Sequence, residues 1–403
     1  MQRTSATSSA RELPPLQLVE TPAELMSMLD HLLARPRVAV DTEADSLFSY
    51  HYKVCLIQFS IPGLDYLVDP LALADLRPLG ALFSSSRVEK VLHAAENDIL
   101  MLQRNYGFQF AHLFDTMIAA RILGWPRVGL AALLQEHFGV RLDKRMQLTN
   151  WGKRPLSPKQ LAYARLDTHY LLPLRDRIYK ELVARDRWEE AQDAFVALSR
   201  IEFVDKPFDP NGFWRIEGAH RLTGQQLAVL RELYLWREEC ARHADLPPFK
   251  IASDRTLILL SRQQPSTSSA LERFPGLSPL VRAHFSRELL KAIRRGQVAP
   301  IPVPPSRLQQ EGSRPDAATR ARYDALRSWR THQAAERGVD PDVVLTNEVL
   351  WRIAWRNPRS LEELAEIGSL SPWKLRAYGL ALLAVIAGRP WMEKPSSEVP
   401  VHP

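Results

Sequence analysis

A set of landmarks in the second half of the chain returns at a fixed offset of 93 residues, and no other feature constrains the fold as much. Trp236-Arg237 recurs as Trp329-Arg330, Leu257 as Leu350 and Pro265 as Pro358. Asp254 aligns with Asn347 at the same offset, and Pro247/Pro341 and Gly276/Gly368 fall within one residue of it. A lone Trp-Arg pair would be coincidence, but a constant spacing over several landmarks implies a duplicated unit. From about Arg215 onward the periodicity is helical throughout, so the unit is an all-α domain present twice. Trp236 and Trp329 read as core anchors of the two copies. Between them lie Pro300, Pro302, Pro304 and Pro305, the composition of a semi-rigid extended linker.

The first half reads differently. Arg37–Val40, Val54–Ser60 and Tyr66–Val68 are short apolar runs with strand character, and Lys90–Ala94 is a fourth. Helical segments are expected from near Asn97, over Thr116–Leu123 and Leu130–Phe138, and in one long helix opened by Ser157 as N-cap with Pro158 in its first turn. Strands in hairpin succession followed by strand–helix alternation predict a mixed α/β sheet. With 403 residues the chain is too long for one ordinary core. The expected layout is a leader over 1–14, an α/β domain over 15–205, helical domains over 215–298 and 316–391, a linker over 299–315 and a tail over 392–403.

Composition narrows the class. The chain is 45% hydrophobic and 25% charged, which is globular rather than disordered. Its formal charge of +7 suits a polyanionic partner, because cationic side chains displace counterions from phosphates. Its two cysteines, Cys55 and Cys240, form no Cys-x-x-Cys pair, so neither zinc nor a disulfide framework is indicated. Cys55, in Val-Cys-Leu-Ile, reads as a small buried hydrophobe. The Ser- and Thr-rich start has no apolar core of a signal peptide, and no stretch is apolar for the eighteen residues a membrane helix needs. A soluble, cytoplasmic protein with no membrane partner and no small-molecule cofactor is expected.

Three acidic elements then stand out. In Val38-Ala-Val-Asp-Thr-Glu43, Asp41 and Glu43 are two apart and would project from one face of a strand. Adjacent carboxylates repel unless a cation lies between them, although two surface acids at a strand end would look the same. In His93-Ala-Ala-Glu-Asn-Asp98, Asp98 falls in the first turn of a helix, where the dipole also favours an acid. His93 reads as a hydrogen-bonded structural group. In Leu161-Ala-Tyr-Ala-Arg-Leu-Asp167, Tyr163 and Asp167 are four apart and stack on one helical face. Their apolar neighbours put Asp167 next to a buried surface.

The order Asp-x-Glu, Asp, Tyr-x-x-x-Asp resembles the DEDD exonuclease superfamily in its tyrosine-bearing branch, and within it the ribonuclease D family. Cys55-Leu-Ile-Gln-Phe, Phe114-Asp-Thr-Met-Ile-Ala-Ala-Arg and Trp151-Gly-Lys-Arg-Pro-Leu are similar to that family too, over roughly residues 15–190, and the helical repeats resemble HRDC domains. Where the family usually carries Ser-Asp-Trp, this chain has Thr149-Asn150-Trp151. The resemblance implies an RNase H-like α/β exonuclease domain followed by two HRDC-like domains. It implies a 3′→5′ exoribonuclease acting on RNA 3′ ends, those of tRNA precursors and other small structured RNAs among them. It implies two divalent cations, Mg²⁺ or Mn²⁺, held by Asp41, Glu43, Asp98 and Asp167, with Tyr163 orienting the attacking water. In that scheme Asp41 bridges both ions, Glu43 and Asp167 hold the one that carries the water, and Asp98 helps hold the other.

The segment Leu142–Pro155 interleaves Lys144, Arg145, Lys153 and Arg154 with Trp151, a pattern suited to a phosphate backbone and a stacked base, or to an ordinary solvated loop. A helix carrying Arg282, Arg287, Lys291, Arg294 and Arg295 presents a basic stripe with the same two readings. Two rival functions stay open at this level. A DNA exonuclease would use the same acids, and a non-catalytic RNA-binding scaffold would have lost one or more of them.

Overall fold

The computed structural model describes residues 13–304, 315–368 and 370–390. Residues 1–12 of the expected leader, 305–314 of the expected linker, residue 391 at the end of the expected second helical domain and the whole expected tail over 392–403 lie outside the described residues. Six strands form one sheet: β1 (Leu16–Val19), β2 (Arg37–Ala44), β3 (Val54–Ile61), β4 (Leu64–Val68), β5 (Glu89–Leu92) and β6 (Leu113–Asp115). Their order is β1-β4-β3-β2-β5-β6. The β2-β3 and β3-β4 pairs are antiparallel, and β1-β4, β2-β5 and β5-β6 are parallel. This is the expected mixed sheet, with β1 and β6 added at its two edges.

Alternation along the strands feeds the two faces. Val38, Val40, Ile57 and Phe59 point into one core with α1 (Pro22–Leu33), α2 (Gly80–Phe83) and α3 (Glu96–Tyr106). Ala39, Val91 and Phe114 point the other way, against α4 (Thr116–Leu123), α5 (Leu130–Phe138), α7 (Leu171–Ala184) and α8 (Trp188–Ser199). On that second face α6 (Pro158–His169) crosses β2, β3 and β4. The long helix expected after Ser157 is thus two helices, parted at Tyr170, so that α6 and α7 cover different parts of the sheet.

The repeat is written into the helix boundaries. The first copy holds α9 (Gly224–Ala244), α10 (Pro248–Ile251), α11 (Asp254–Gln263), α12 (Ser268–Glu272), α13 (Pro279–His284) and α14 (Ser286–Val298). The second holds α15 (Ala317–Arg337), α16 (Pro341–Val344), α17 (Asn347–Arg356), α18 (Leu361–Glu366) and α19 (Pro372–Ile386), each starting 93 residues after its counterpart. The copies diverge at the end, where α13 and α14 break at Phe285 and α19 runs on unbroken. The basic stripe expected on one helix is therefore split, with Arg282 on α13 and the rest on α14. Arg295 pairs with Glu232, and Arg282 donates to the Phe274 carbonyl.

Both tryptophans are core anchors, Trp236 in one core and Trp329 in the other. The arginine after each reaches a loop carbonyl, Arg237 Nη1 to Ala252 O at 3.1 Å and Arg330 Nη1 to Leu345 O at 2.8 Å. Satisfying a buried carbonyl explains why Trp and Arg repeat as a pair.

Both helical units touch the α/β unit. The loop after β2 reaches the first through Tyr50, which donates to Glu238, and through His51 N, 2.9 Å from Asp245 Oδ1. The second is joined by Arg121 to Asp342 at 2.6 Å, by Arg187 to the Arg337 carbonyl at 2.6 Å and by an ion pair of Arg337 with buried Glu190. Among the described residues no helix is long and apolar enough to cross a membrane.

Candidate active site

The acids meet where the sheet, α3 and α6 converge. Asp41 and Glu43 lie on β2, paired across to Gln58 and Leu56 of β3, just before a register shift at Glu43/Ala44. Asp167 comes down from α6. Ligand oxygens of Asp41, Glu43 and Asp167 all lie within 4.8 Å of one another. Asp98 approaches from the first turn of α3, where its carboxylate accepts a hydrogen bond from the Thr42 hydroxyl, between Asp41 and Glu43 on β2.

Local chemistry places each element. Helix α6 starts on a capping box, with the Ser157 hydroxyl accepting from Gln160 N and the Gln160 side chain accepting from Ser157 N. Three side chains then pin it to the sheet. Thr168 shares a 2.7 Å hydrogen bond with Ser60 of β3, while Arg165 and His169 bind Asp65 of β4 at 2.6 and 3.1 Å. Burial pushes the Asp65 carboxyl up, but hydrogen bonds from His169, Ser60 and Arg165 outweigh it and hold Asp65 below its ordinary value. Helix α3 depends on Asp115. Its carboxylate accepts from Ala94 N and Ala95 N, where Ala94 has the left-handed φ of 59°, and caps α4 through Met117 N and Ile118 N. This one side chain fixes the turn that delivers Asp98. His93 binds Thr116 at 2.9 Å, as a structural group would.

The electrostatics are those of too many acids in too little water. Burial, then the charges of Asp98, Asp167 and Glu43, raises Asp41 well above the usual carboxylate range. Burial likewise pushes Glu43 up to about 9, with Asp167 and Asp98 adding repulsion. Asp167 rises to about 8, chiefly by burial and against a hydrogen bond from Tyr163. Asp98 rises to about 6 for the same first reason, held back by Thr42. Asp167 is only 4% exposed, and its Oδ1 has no hydrogen-bond partner. A buried acceptor without a donor, among like charges, is a position that a hard cation satisfies. Burial, with Asp167, Glu43 and Asp41 nearby, also raises the Tyr163 phenol far above its ordinary value. It therefore stays protonated and can give or accept a hydrogen bond, but it cannot act as a base near neutrality.

The four residues expected to contact substrate divide. Lys144 and Lys153 are exposed. Trp151 is not available for stacking a base: it is 1% exposed and packed with Cys55, Leu56, Leu67 and Tyr163, its ring 6.3 Å from that of Tyr163. The Arg154 guanidinium is also taken up internally, by Asp69 at 2.5 and 2.7 Å and by the carbonyls of Cys55 and Trp151. Trp151 instead backs Tyr163, and Arg154 ties the loop to Asp69 and to β3. Thr42, Asp65 and Asp115 were invisible as site supports in the sequence, since each becomes one only through a partner distant in the chain. Gln160 acts instead on Ser157, three residues away, and the Ser-x-x-Gln spacing was its local signal.

The fold and the acidic cluster together define an α/β nuclease domain of the 3′→5′ type with two helical modules behind it. Comparisons agree: residues 16–183 match the 3′-5′ exonuclease family, and residues 226–293 and 319–386 each match the HRDC domain family. Ribonuclease D of Bartonella henselae is 30% identical over 93% of this chain and 91% of its own length. The exosome complex exonuclease RRP6 of Saccharomyces cerevisiae is 32% identical over 73% of this chain, which spans only 43% of that longer relative. The crystal structure of Escherichia coli RNase D superposes with a TM-score of 0.64 at 25% identity, covering 93% of this chain and all of its own. The chain belongs to the ribonuclease D family, and so to the 3′→5′ exoribonucleases.

Proposed function

We propose that this protein removes nucleotides one at a time from RNA 3′ ends by metal-assisted hydrolysis, releasing nucleoside 5′-monophosphates. The observation that carries the reading is the approach of Asp41, Glu43 and Asp167 to within 4.8 Å around an unpaired, buried carboxylate oxygen. An all-oxygen donor set suits Mg²⁺ or Mn²⁺ rather than zinc. Asp41, Glu43 and Asp167 would hold one ion, and Asp41 and Asp98 a second. When bound, such ions supply the positive charge that makes water nucleophilic and stabilises the departing 3′ oxygen. The protein's own part is to position. Tyr163, kept protonated, orients the attacking water by a hydrogen bond. Thr42 holds Asp98, and the pins on Asp65 and Ser60 hold α6 so that Asp167 stays over β2. Lys144 and Lys153 remain as contacts for the phosphate backbone.

The substrates we infer are tRNA precursors and other small structured RNAs, in the cytoplasm, guided by the two HRDC-like domains. We divide the chain accordingly into an exonuclease domain over 15–205 and HRDC-like domains over 215–298 and 316–391. The acids are indifferent to the sugar, so the choice of RNA over DNA rests on the ribonuclease D relatives. Degradation of matched, 5′-labelled RNA and DNA oligonucleotides with Mg²⁺ tests it. RNA should shorten from its 3′ end at least tenfold faster; equal or faster loss of DNA would reassign the substrate.

A further inference from the structure

One polar side chain beside the acids has no assigned work. Gln58 of β3 is fully buried, and neither its side-chain nitrogen nor its oxygen has a hydrogen-bond partner. A buried amide left unpaired on both ends is rare, because folding strips it of water without replacement. Its place is well determined. Gln58 pairs directly across the sheet from Asp41, so their Cβ atoms lie about 4.5–5.5 Å apart on the same face. On β3 it stands between Leu56, which clusters with Tyr163 and Ala164 of α6, and Ser60, which is hydrogen-bonded to Thr168. The turn of α6 between those two contacts carries Asp167. Gln58 therefore lies beneath Asp167, whose Oδ1 is likewise buried and unpaired.

We propose that Gln58 is a positioning residue: with Asp167 Oδ1 drawn to a cation, the Gln58 side-chain N–H groups turn to the carboxylate from beneath and hold it in that orientation, through a hydrogen bond that this structure does not contain. A carboxylate held on one oxygen by a cation still offers the acceptor that the amide lacks. Partners behind a ligand fix its orientation, and losing one typically lowers metal affinity about 10–100-fold. The proposal rests on the reading that the acidic cluster binds divalent cations, and its test keeps the two apart.

Metal-free wild-type, Gln58→Leu and Gln58→Met proteins are titrated with Mn²⁺ by calorimetry, and kcat and KM are measured on a 5′-labelled RNA. Wild type should bind Mn²⁺; if it does not, the cation reading itself fails, and this proposal with it. Given wild-type binding, Gln58→Leu should melt at or above the wild-type temperature without metal. It should bind Mn²⁺ at least tenfold more weakly and lose kcat while KM for RNA stays within about twofold. Mn²⁺ affinity and kcat within about threefold of wild type would overturn the proposal. Should Gln58→Leu fail to fold, Gln58→Met, which keeps the length and loses the donor, is read instead. Failure of both to fold would overturn it as well, since the amide's work would then be structural.

Discussion

Asp41 and Glu43 illustrate what one residue's neighbours do to it. Each would be an ordinary surface acid on an isolated strand; burial in the fold, then the arrival of Asp167 and Asp98 from helices, makes the group costly to ionise. Replacing Asp41 by Ala should abolish nuclease activity, by more than the roughly 10²–10³-fold that loss of a single transition-state donor costs. The same change removes a carboxyl that is costly to bury among its neighbours, so the metal-free melting temperature should hold or rise. Circular dichroism melts beside the activity assay check both. Tyr163→Phe should lose less, about 10²-fold in kcat, because the carboxylates remain. The raised carboxylates also set a pH dependence. Asp98, Glu43 and Asp167 keep protons in the folded, metal-free protein to about pH 6, 9 and 8, well above where unfolded carboxylates release them. The folded state thus binds more protons than the unfolded state from about pH 4 upward, so stability falls as pH rises through that window. Melting temperatures of metal-free protein should decline from pH 5 to pH 9, and saturating Mg²⁺ should shrink that decline. A rise with pH in the metal-free protein would contradict the assignment.

At the level of elements, the sequence was most legible where periodicity is strong and least where a residue's partner is remote. Strand alternation placed Asp41 and Glu43 on one face, and the four-residue spacing of Tyr163 and Asp167 put both on the working side of α6. The 93-residue offset read from the landmarks returns in the helix starts of the second copy among the described residues. The two edge strands were missed because Leu16–Val19 and Leu113–Asp115 are too short to show alternation, and pairing with β4 and β5 makes them strands. The basic loop misled for a related reason. Charge and an aromatic ring in a polar stretch do not reveal that Arg154 folds back onto Asp69 while Trp151 turns into the core. Asp115 was legible only as part of a family motif, yet it controls an element. Asp115→Ala should destabilise the fold by about 3 kcal/mol, from a lost cap and buried N–H groups left unpaired. It should also lower kcat, since the turn that carries Asp98 loses its anchor. Full activity in a destabilised Asp115→Ala protein would separate that turn from catalysis.

On the scale of the molecule, the second helical domain shares a boundary with the exonuclease core rather than trailing behind it. Val343 packs into the core under α4 and α7, and Gly124 at the end of α4 meets Gly338 at the end of α15. Gly124 has a φ of +75°, and a Cβ there would stand 1.9 Å from the Gly338 carbonyl oxygen. Gly107, with a φ of +69° and open space around it, is the matched control. Gly107→Ala should cost about 1–2 kcal/mol for the left-handed backbone alone. Gly124→Ala should cost more and expose the α15–α16 junction to limited proteolysis, and equal behaviour of the two variants would argue against a close-packed boundary.

The most direct test of the whole account is a 5′-labelled, single-stranded RNA incubated with wild-type and Asp41→Ala protein, with Mg²⁺ and with EDTA. The account predicts a ladder shortening from the 3′ end, with nucleoside 5′-monophosphates as the product, only for wild type with Mg²⁺. Equal shortening by folded Asp41→Ala, or by wild type in EDTA, would contradict it.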